Sequence, residues 1–394
     1  SKSGSITTSS ANVASFQTSD IIVGSLSLAN GTGSASNYTL SGGTHSATIT
    51  KKSLGLSGTR VYDATTTASS TDLSFTGLVG SETLILSGSG TLASSVVASG
   101  KIITLNTLAI ADNSGLASNY DLSGPITMNI TARPVTANGS RVYDGTTAVS
   151  GTNLITISNL AGADTLSLNG SGTTTSNVGN SKSVTSGSLA LVSGSGNASN
   201  YSLSSATFDI QQRSLDIAAS KIYDGTTTLN GSDFSTFSNI VSGETLSVSG
   251  SGSVASADVG TGKTVTSVNL ALANGTGLAS NYSFNSLSAE ITSRPVTISG
   301  SRLYDSTTTV DSSIFTISSG VSGESLSLTG SGILGFASAG TQTITNNNTL
   351  ALADGTGLAS NFTLAGATTN VTINPRTLNA TLSREYDGTT NVSG

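Results

Sequence analysis

The residues best suited to chemistry in this sequence come in one small cassette. Tyr-Asp-Gly-Thr-Thr stands at 143–147, 223–227 and 386–390, with Tyr-Asp-Ala-Thr-Thr at 62–66 and Tyr-Asp-Ser-Thr-Thr at 304–308. An aspartate beside hydroxyls could ligate a cation or grip a sugar hydroxyl, and Asp63, Asp144, Asp224, Asp305 and Asp387 are the carboxylates concerned. The same residue types also build a turn, in which the Asp accepts backbone N–H bonds and the third residue eases φ. The turn is the expectation here. Ala64 and Ser306 at the third position argue against a strict need for positive φ.

Other candidate chemistry thins out quickly. Ala-Asn-Gly-Thr-Gly (29–33 and 273–277) and Ala-Asp-Gly-Thr-Gly (353–357) resemble phosphate or calcium loops. No Walker lysine follows them and no alternating acidic series accompanies them, so a hairpin turn is expected. Calcium at domain junctions is the one cofactor the acids leave open. The only histidine is His45, so a Ser-His-Asp arrangement could exist at most once. Glu82, Asp164, Glu244 and Glu324 recur singly, which gives no paired carboxylates for acid–base work. The chain reads as no enzyme, with no small-molecule substrate. Asn-x-Ser/Thr triplets at Asn37, Asn200, Asn281, Asn361 and Asn391 are glycosylation candidates. Four of the five immediately precede an aromatic residue, which a turn role explains equally well.

The elements that would position these residues repeat. The cassette tyrosines Tyr62, Tyr143, Tyr223, Tyr304 and Tyr386 are spaced by 81, 80, 81 and 82 residues. Ala-Ser-Asn-aromatic keeps the same beat at Tyr38, Tyr120, Tyr201, Tyr282 and Phe362. Ten residues before each cassette tyrosine stands a base: Lys52, Arg133, Arg213, Arg294 and Arg376. Two residues before it stands another: Arg60, Arg141, Lys221, Arg302 and Arg384. Together they are ten of the 15 Lys and Arg, so charge here belongs to the repeat, not to one active site.

Inside each unit the apolar period is two. Thr165-Leu166-Ser167-Leu168 and Thr245-Leu246-Ser247-Val248 alternate as half-buried strands do, and each precedes Gly or Ser-Gly turn signals. No sustained helical period appears. The expected fold is all-β: a tandem array of antiparallel β-sandwich (immunoglobulin-like) domains of 81 residues or so, forming an elongated rod. A β-grasp-like unit with one short helix is the alternative, and a continuous β-solenoid a further one. Prolines place the domains at 53–133, 134–213, 214–294 and 295–375, with a partial repeat at 1–52 and the start of another at 376–394. Each domain is expected to bury its own cassette tyrosine, with the neighbouring Arg stem covering it.

Composition bounds the partners. Charged residues make up 9%, against about 25% in ordinary soluble domains. The net charge of −6 offers no basic patch, so nucleic acid is excluded as a partner. There is no cysteine, and no apolar run reaches the ~20 residues of a membrane span. Ser1-Lys2-Ser3-Gly4 carries no signal-peptide pattern, and the segment reads as an internal piece of something longer. A cysteine-free, hydroxyl-rich, acidic chain suits bacterial export.

The Tyr-Asp-Gly-Thr-Thr cassette, with its Ser-Asn-Tyr and Ile-Thr-x-Arg-Pro companions, resembles the YDG repeat family and the related MBG modules. The resemblance covers nearly the whole chain. Such repeats occur in large secreted adhesins of the filamentous-haemagglutinin type, exported by two-partner secretion. The resemblance implies an extracellular stalk at the bacterial cell surface, projecting a distal binding tip or supporting cell–cell and biofilm-matrix adhesion. Two other readings stay open. The repeats themselves could bind glycans, exopolysaccharide, a host surface or ice, through threonine faces such as 65–67 and 226–228. They could also self-associate as a filament or surface-layer component.

Overall fold

A computed structural model of the chain describes residues 2–267 and 269–392. Ser1, Val268, Ser393 and Gly394, which fall within the expected 1–52, 214–294 and 376–394 segments, lie outside the described residues. The chain forms tandem all-β repeats whose only helical structure, among the described residues, is single 3₁₀ turns. It divides into two compact units: residues 1–141, 147–175 and 179–209, and residues 142–146, 176–178 and 210–394.

In the first unit the opening strand Gly55–Val61 lies beside the closing strand Ile126–Thr131. The two run parallel, from Leu56 opposite Ile126 to Val61 opposite Thr131. Leu73–Thr76 covers the outer edge of the opening strand. Ala98–Thr104 pairs with the closing strand, and Ser89–Leu92 and Thr67–Ser69 continue the sheet beyond it. Alternate residues point inward, as the strand period of two requires. Leu56, Ala68, Leu73, Leu92, Ile103, Met128 and Ile130 therefore meet in one core. Ala68 and Leu73 come from opposite edges of the sheet, so the sheet curls round its own apolar face. The following opening strand, Arg133–Val142, sits between Thr156–Ser158 and the closing strand Tyr201–Gln211.

The second unit repeats this plan twice. Arg213–Ile222 runs parallel to Tyr282–Thr292, and Arg294–Leu303 runs parallel to Phe362–Asn374. A single residue (Ala132, Gln212 or Ser293) separates each closing strand from the next opening strand. Pro134 and Pro295 are the second residues of opening strands, where a missing N–H is tolerated.

The tandem all-β expectation holds, with one correction to its strand layout. An immunoglobulin-like sandwich is antiparallel throughout, whereas here the first and last long strands of a repeat are parallel neighbours. That arrangement agrees with the β-grasp-like alternative, except that the helix is reduced to 3₁₀ turns. The physical reason is the length of the excursion: more than sixty residues separate Val61 from Ile126, ample for the crossover that a parallel pair needs.

Candidate functional site

Each cassette is a rigid turn. Asp224 Oδ1 accepts the Thr226 N–H at 2.9 Å and its hydroxyl at 2.8 Å. Asp63, Asp144, Asp305 and Asp387 hold Thr65, Thr146, Thr307 and Thr389 in the same way. The base two residues before the tyrosine clamps the turn from the other side. Lys221 Nζ reaches Asp224 Oδ1 and the Thr226 and Thr228 carbonyls, each at 2.8 Å. Arg60 and Arg302 bridge to Asp63 and Asp305 at 3.2 and 2.8 Å. Burial would raise the Asp224 carboxyl, but the Lys221 and Thr226 hydrogen bonds outweigh it and hold the group below the usual range. The turn is thus gripped by the Lys221 ammonium and by the guanidinium Nη atoms of Arg60 and Arg302.

The third residue has positive φ in all five cassettes: 78°, 75° and 78° at Gly145, Gly225 and Gly388, and 67° and 68° at Ala64 and Ser306. The expectation that Ala64 and Ser306 relax this requirement is corrected. They adopt the left-handed conformation because the Asp and base clamps on either side define the turn.

The turn aims its tyrosine out of its own repeat, which corrects the expectation that each domain buries its own. In the first unit the Tyr62 hydroxyl donates to Asp164 Oδ2 at 3.1 Å, and Tyr201 donates to the same oxygen at 2.6 Å. The two rings meet edge to face, with centroids 5.3 Å apart. Within the second unit, Tyr143 and Tyr282 donate to the two oxygens of Glu244, each at 2.6 Å, with rings 5.4 Å apart. Tyr223 donates to Glu324 Oε1 at 2.6 Å and packs on Phe362 at 5.3 Å. All six rings are buried.

The socket around each carboxylate is built by three further residues. The Ser-Asn-Tyr asparagine crosses the junction: Asn200, Asn281 and Asn361 Oδ1 accept the Val97, Val178 and Val259 N–H groups at 2.9–3.0 Å. The strand-opening arginine ties back, with Arg133, Arg213 and Arg294 donating to the Tyr62, Tyr143 and Tyr223 carbonyls at 3.2–3.3 Å. A glycine forms the floor, because a Cβ at Gly115 or Gly357 would stand 2.7 Å from a Glu82 or Glu324 oxygen. The second glycine of the 353–357 loop thus serves the acid site, as Gly277 does beside Glu244, whereas Gly33 faces the Tyr38 ring.

Burial first, and then the facing carboxylate, push the Tyr201, Tyr223 and Tyr282 hydroxyls up to about 12. The tyrosine is consequently a fixed donor to a carboxylate, and each site holds a single acid that accepts from it. Among the described residues no group of three or more His, Asp or Glu converges. The arrangement is a lock between neighbours.

The glycosylation candidates fall into two groups. Asn37 and Asn391 are exposed, while Asn200, Asn281 and Asn361 are at most 3% exposed and engaged in junctions. A sugar on any of those three would require the junction to open. The residues that sequence reading missed as a site are the acids Asp164, Glu244 and Glu324. Their signal was present in the constant spacing of 20 or 21 residues from the cassette tyrosine.

At the N-terminal side the same socket recurs with Glu82, Tyr120 and Asn119. Tyr120 donates to Glu82, and Asn119 Oδ1 accepts the Val13 N–H at 2.8 Å. Towards the other end, Tyr304 is 40% exposed and Tyr386 96% exposed. No helix among the described residues is long and apolar enough to cross a membrane.

Residues 45–128, 126–208 and 211–289 each match the family model described as YDG domain. No match is found among curated proteins.

Proposed function

The chain belongs to the YDG domain family, and on that footing we propose that it is a load-bearing repeat region of a bacterial surface adhesin, exported from the cell and holding a binding tip away from it. The observation that carries this reading is the pairing of Tyr143 and Tyr282 on Glu244. The side chains most capable of chemistry are spent on joining one repeat to the next. The chain as a whole is hydroxyl-rich and sparsely charged, at 9% Asp, Glu, Lys and Arg. Absence of cysteine suits a chain that is threaded through an envelope and must not cross-link on the way. On this reading the protein has no catalytic activity, and its partners are other surfaces.

Two measurements test it. Small-angle X-ray scattering should give a maximum dimension above about 120 Å, as expected for four small domains in a row. A compact profile near ~65–70 Å would end the stalk reading. Antibody raised against the chain should label intact cells of the source bacterium. Labelling only after permeabilisation would remove the surface assignment.

A further inference from the structure

Asn-Gly pairs stand at 30–31, 138–139, 169–170, 230–231 and 274–275. Such a pair carries its own reaction. The backbone nitrogen after an asparagine can attack the side-chain amide carbon, and glycine, without a Cβ, hinders that approach least. The reaction needs the side chain free to turn and the glycine N–H free to give up its proton. Where hydrogen bonds or a strand ladder hold these groups, it must wait for the segment to open.

The structure restrains every pair but one. Asn138 lies inside Arg133–Val142, a strand with neighbours on both edges. Gly231 is buried, and its N–H donates to the Gly250 carbonyl at 2.9 Å. Asn30 and Asn274 Oδ1 accept the Ala35 and Ala279 N–H groups at 2.7 and 2.8 Å, while the Gly31 and Gly275 N–H groups donate to the Gly33 and Gly277 carbonyls. Asn169 differs. It is exposed at the end of the strand Leu166–Asn169, and among the described residues no hydrogen bond engages its side chain or the Gly170 N–H. Ser87, Ser249 and Thr329 precede the corresponding glycines Gly88, Gly250 and Gly330, all four glycines having φ of 79–86°. Among these repeats Asn169 alone brings an amide to the turn.

We propose that Asn169 is a self-modifying site, where the chain converts its own asparagine to aspartate and isoaspartate while the other Asn-Gly pairs persist. The Gly170 nitrogen gives its proton to solvent base and bonds to Asn169 Cγ. The Cγ–Nδ2 bond breaks, and the nitrogen leaves as ammonia after taking a proton from water, which closes a cyclic imide. Water then opens the ring. Opening at the Cγ carbonyl gives aspartate, and opening at the Asn169 main-chain carbonyl gives isoaspartate. Overall a water is consumed and an ammonia released, with no oxidant or cofactor. Aspartate adds a negative charge at this position. Isoaspartate also routes the backbone through Cβ, a methylene longer, beside the Gly170 carbonyl that accepts the Gly151 N–H at 2.9 Å. This inference does not depend on the adhesin reading.

Storage of the full, folded chain in mildly alkaline buffer, followed by peptide mapping with mass spectrometry, tests the proposal. Asn169 should gain the amide-to-acid mass change at least about tenfold faster than Asn138, Asn230 and Asn274, which must wait for local opening. Its product should separate into two isomers of equal mass. In denaturant the lead of Asn169 should vanish. Asn169→Ser, which installs the residue of two sibling repeats, should remove the fast phase of ammonia release and leave the circular dichroism unchanged. A smaller lead in the folded chain overturns the proposal. So does a lead that survives in denaturant, or a fast ammonia phase that persists in Asn169→Ser.

Discussion

Tyr223 and Glu324 lie 101 residues apart in sequence and 2.6 Å apart in space, yet only one of the two carboxylate oxygens of Glu324 is satisfied. Oε2 is buried with no hydrogen-bond partner. In the equivalent sites Tyr201 or Tyr282 supplies a second hydroxyl to the acid, and here Phe362 cannot. The same exchange removes the acceptor for a backbone N–H. Ala161 and Val241 donate to the tyrosine hydroxyl, whereas Val321 donates to Ser319 Oγ at 3.2 Å. Ser319 stands where the other repeats have Gly77, Asn159 and Asn239. One of the two orphaned groups is thus repaired and the carboxylate oxygen is not.

Phe362→Tyr should therefore stabilise its junction, by about 1–2 kcal/mol for a hydrogen bond to a buried charged group. Tyr282→Phe should copy the natural lesion without its serine repair and cost about 1.5–3 kcal/mol. Denaturant titration of the two variants checks both signs, and a neutral result in both would remove the carboxylate from the account of junction strength.

Ala64 adopts φ 67°, a conformation that costs a residue with a Cβ about 1–2 kcal/mol. Ala64→Gly should raise stability by up to ~1 kcal/mol, after the added entropy of the unfolded glycine is allowed for. Gly225→Ala should do the reverse and more. Its new Cβ would lie 2.9 Å from Val321 Cγ1, so strain within the turn is joined by a clash across the junction. Thermal melts of the pair should move in opposite directions.

Alkali should open the junctions. The Tyr201, Tyr223 and Tyr282 hydroxyls shift from 10.0 in the unfolded reference to about 12 when folded, through burial first and the facing carboxylate second. The protonated form is the donor, so the folded state holds its protons more tightly than the unfolded one. Their contribution is complete below about pH 10 and is lost as the pH rises through about 12. Tyrosinate absorbance and circular dichroism should change together in that window. Ionisation of all nine tyrosines without loss of structure would contradict the coupling.

Asn281→Ala should leave the Val178 N–H without its acceptor and cost about 1–3 kcal/mol. If the chain is made in a glycosylating host, mass spectrometry of the folded protein should find sugar at the exposed Asn37 in preference to Asn200, Asn281 and Asn361. Full occupancy at Asn281 in protein that retains its tyrosine junction would contradict its burial.

Much of this was legible in the residues. The 81-residue beat, the strand alternation and the Asp–Thr turn follow from spacing and side-chain type alone. The destination of the tyrosine did not, for a physical reason. In a periodic chain the acid of its own repeat (Glu82 for Tyr62) and the acid of the next (Asp164) occupy the same phase, so periodicity cannot distinguish a contact within a repeat from one between repeats. The parallel pairing was hidden likewise, because half-buried strands alternate identically whichever way their neighbour runs. Positive φ at Ala64 was hidden because the local residue opposes it and only the surrounding clamps impose it.

A pull along the backbone would enter a repeat where its opening strand begins and leave where its closing strand ends, since only one residue, such as Gln212, separates successive repeats. In the third repeat those strands are Arg213–Ile222 and Tyr282–Thr292, and they run side by side in the same direction. Tension therefore drags the two strands past each other in shear, and every rung of the ladder between them resists at once. Strands pulled apart from one end would instead unzip rung by rung. The topology that departs from the simple sandwich is the one that makes each repeat hard to extend.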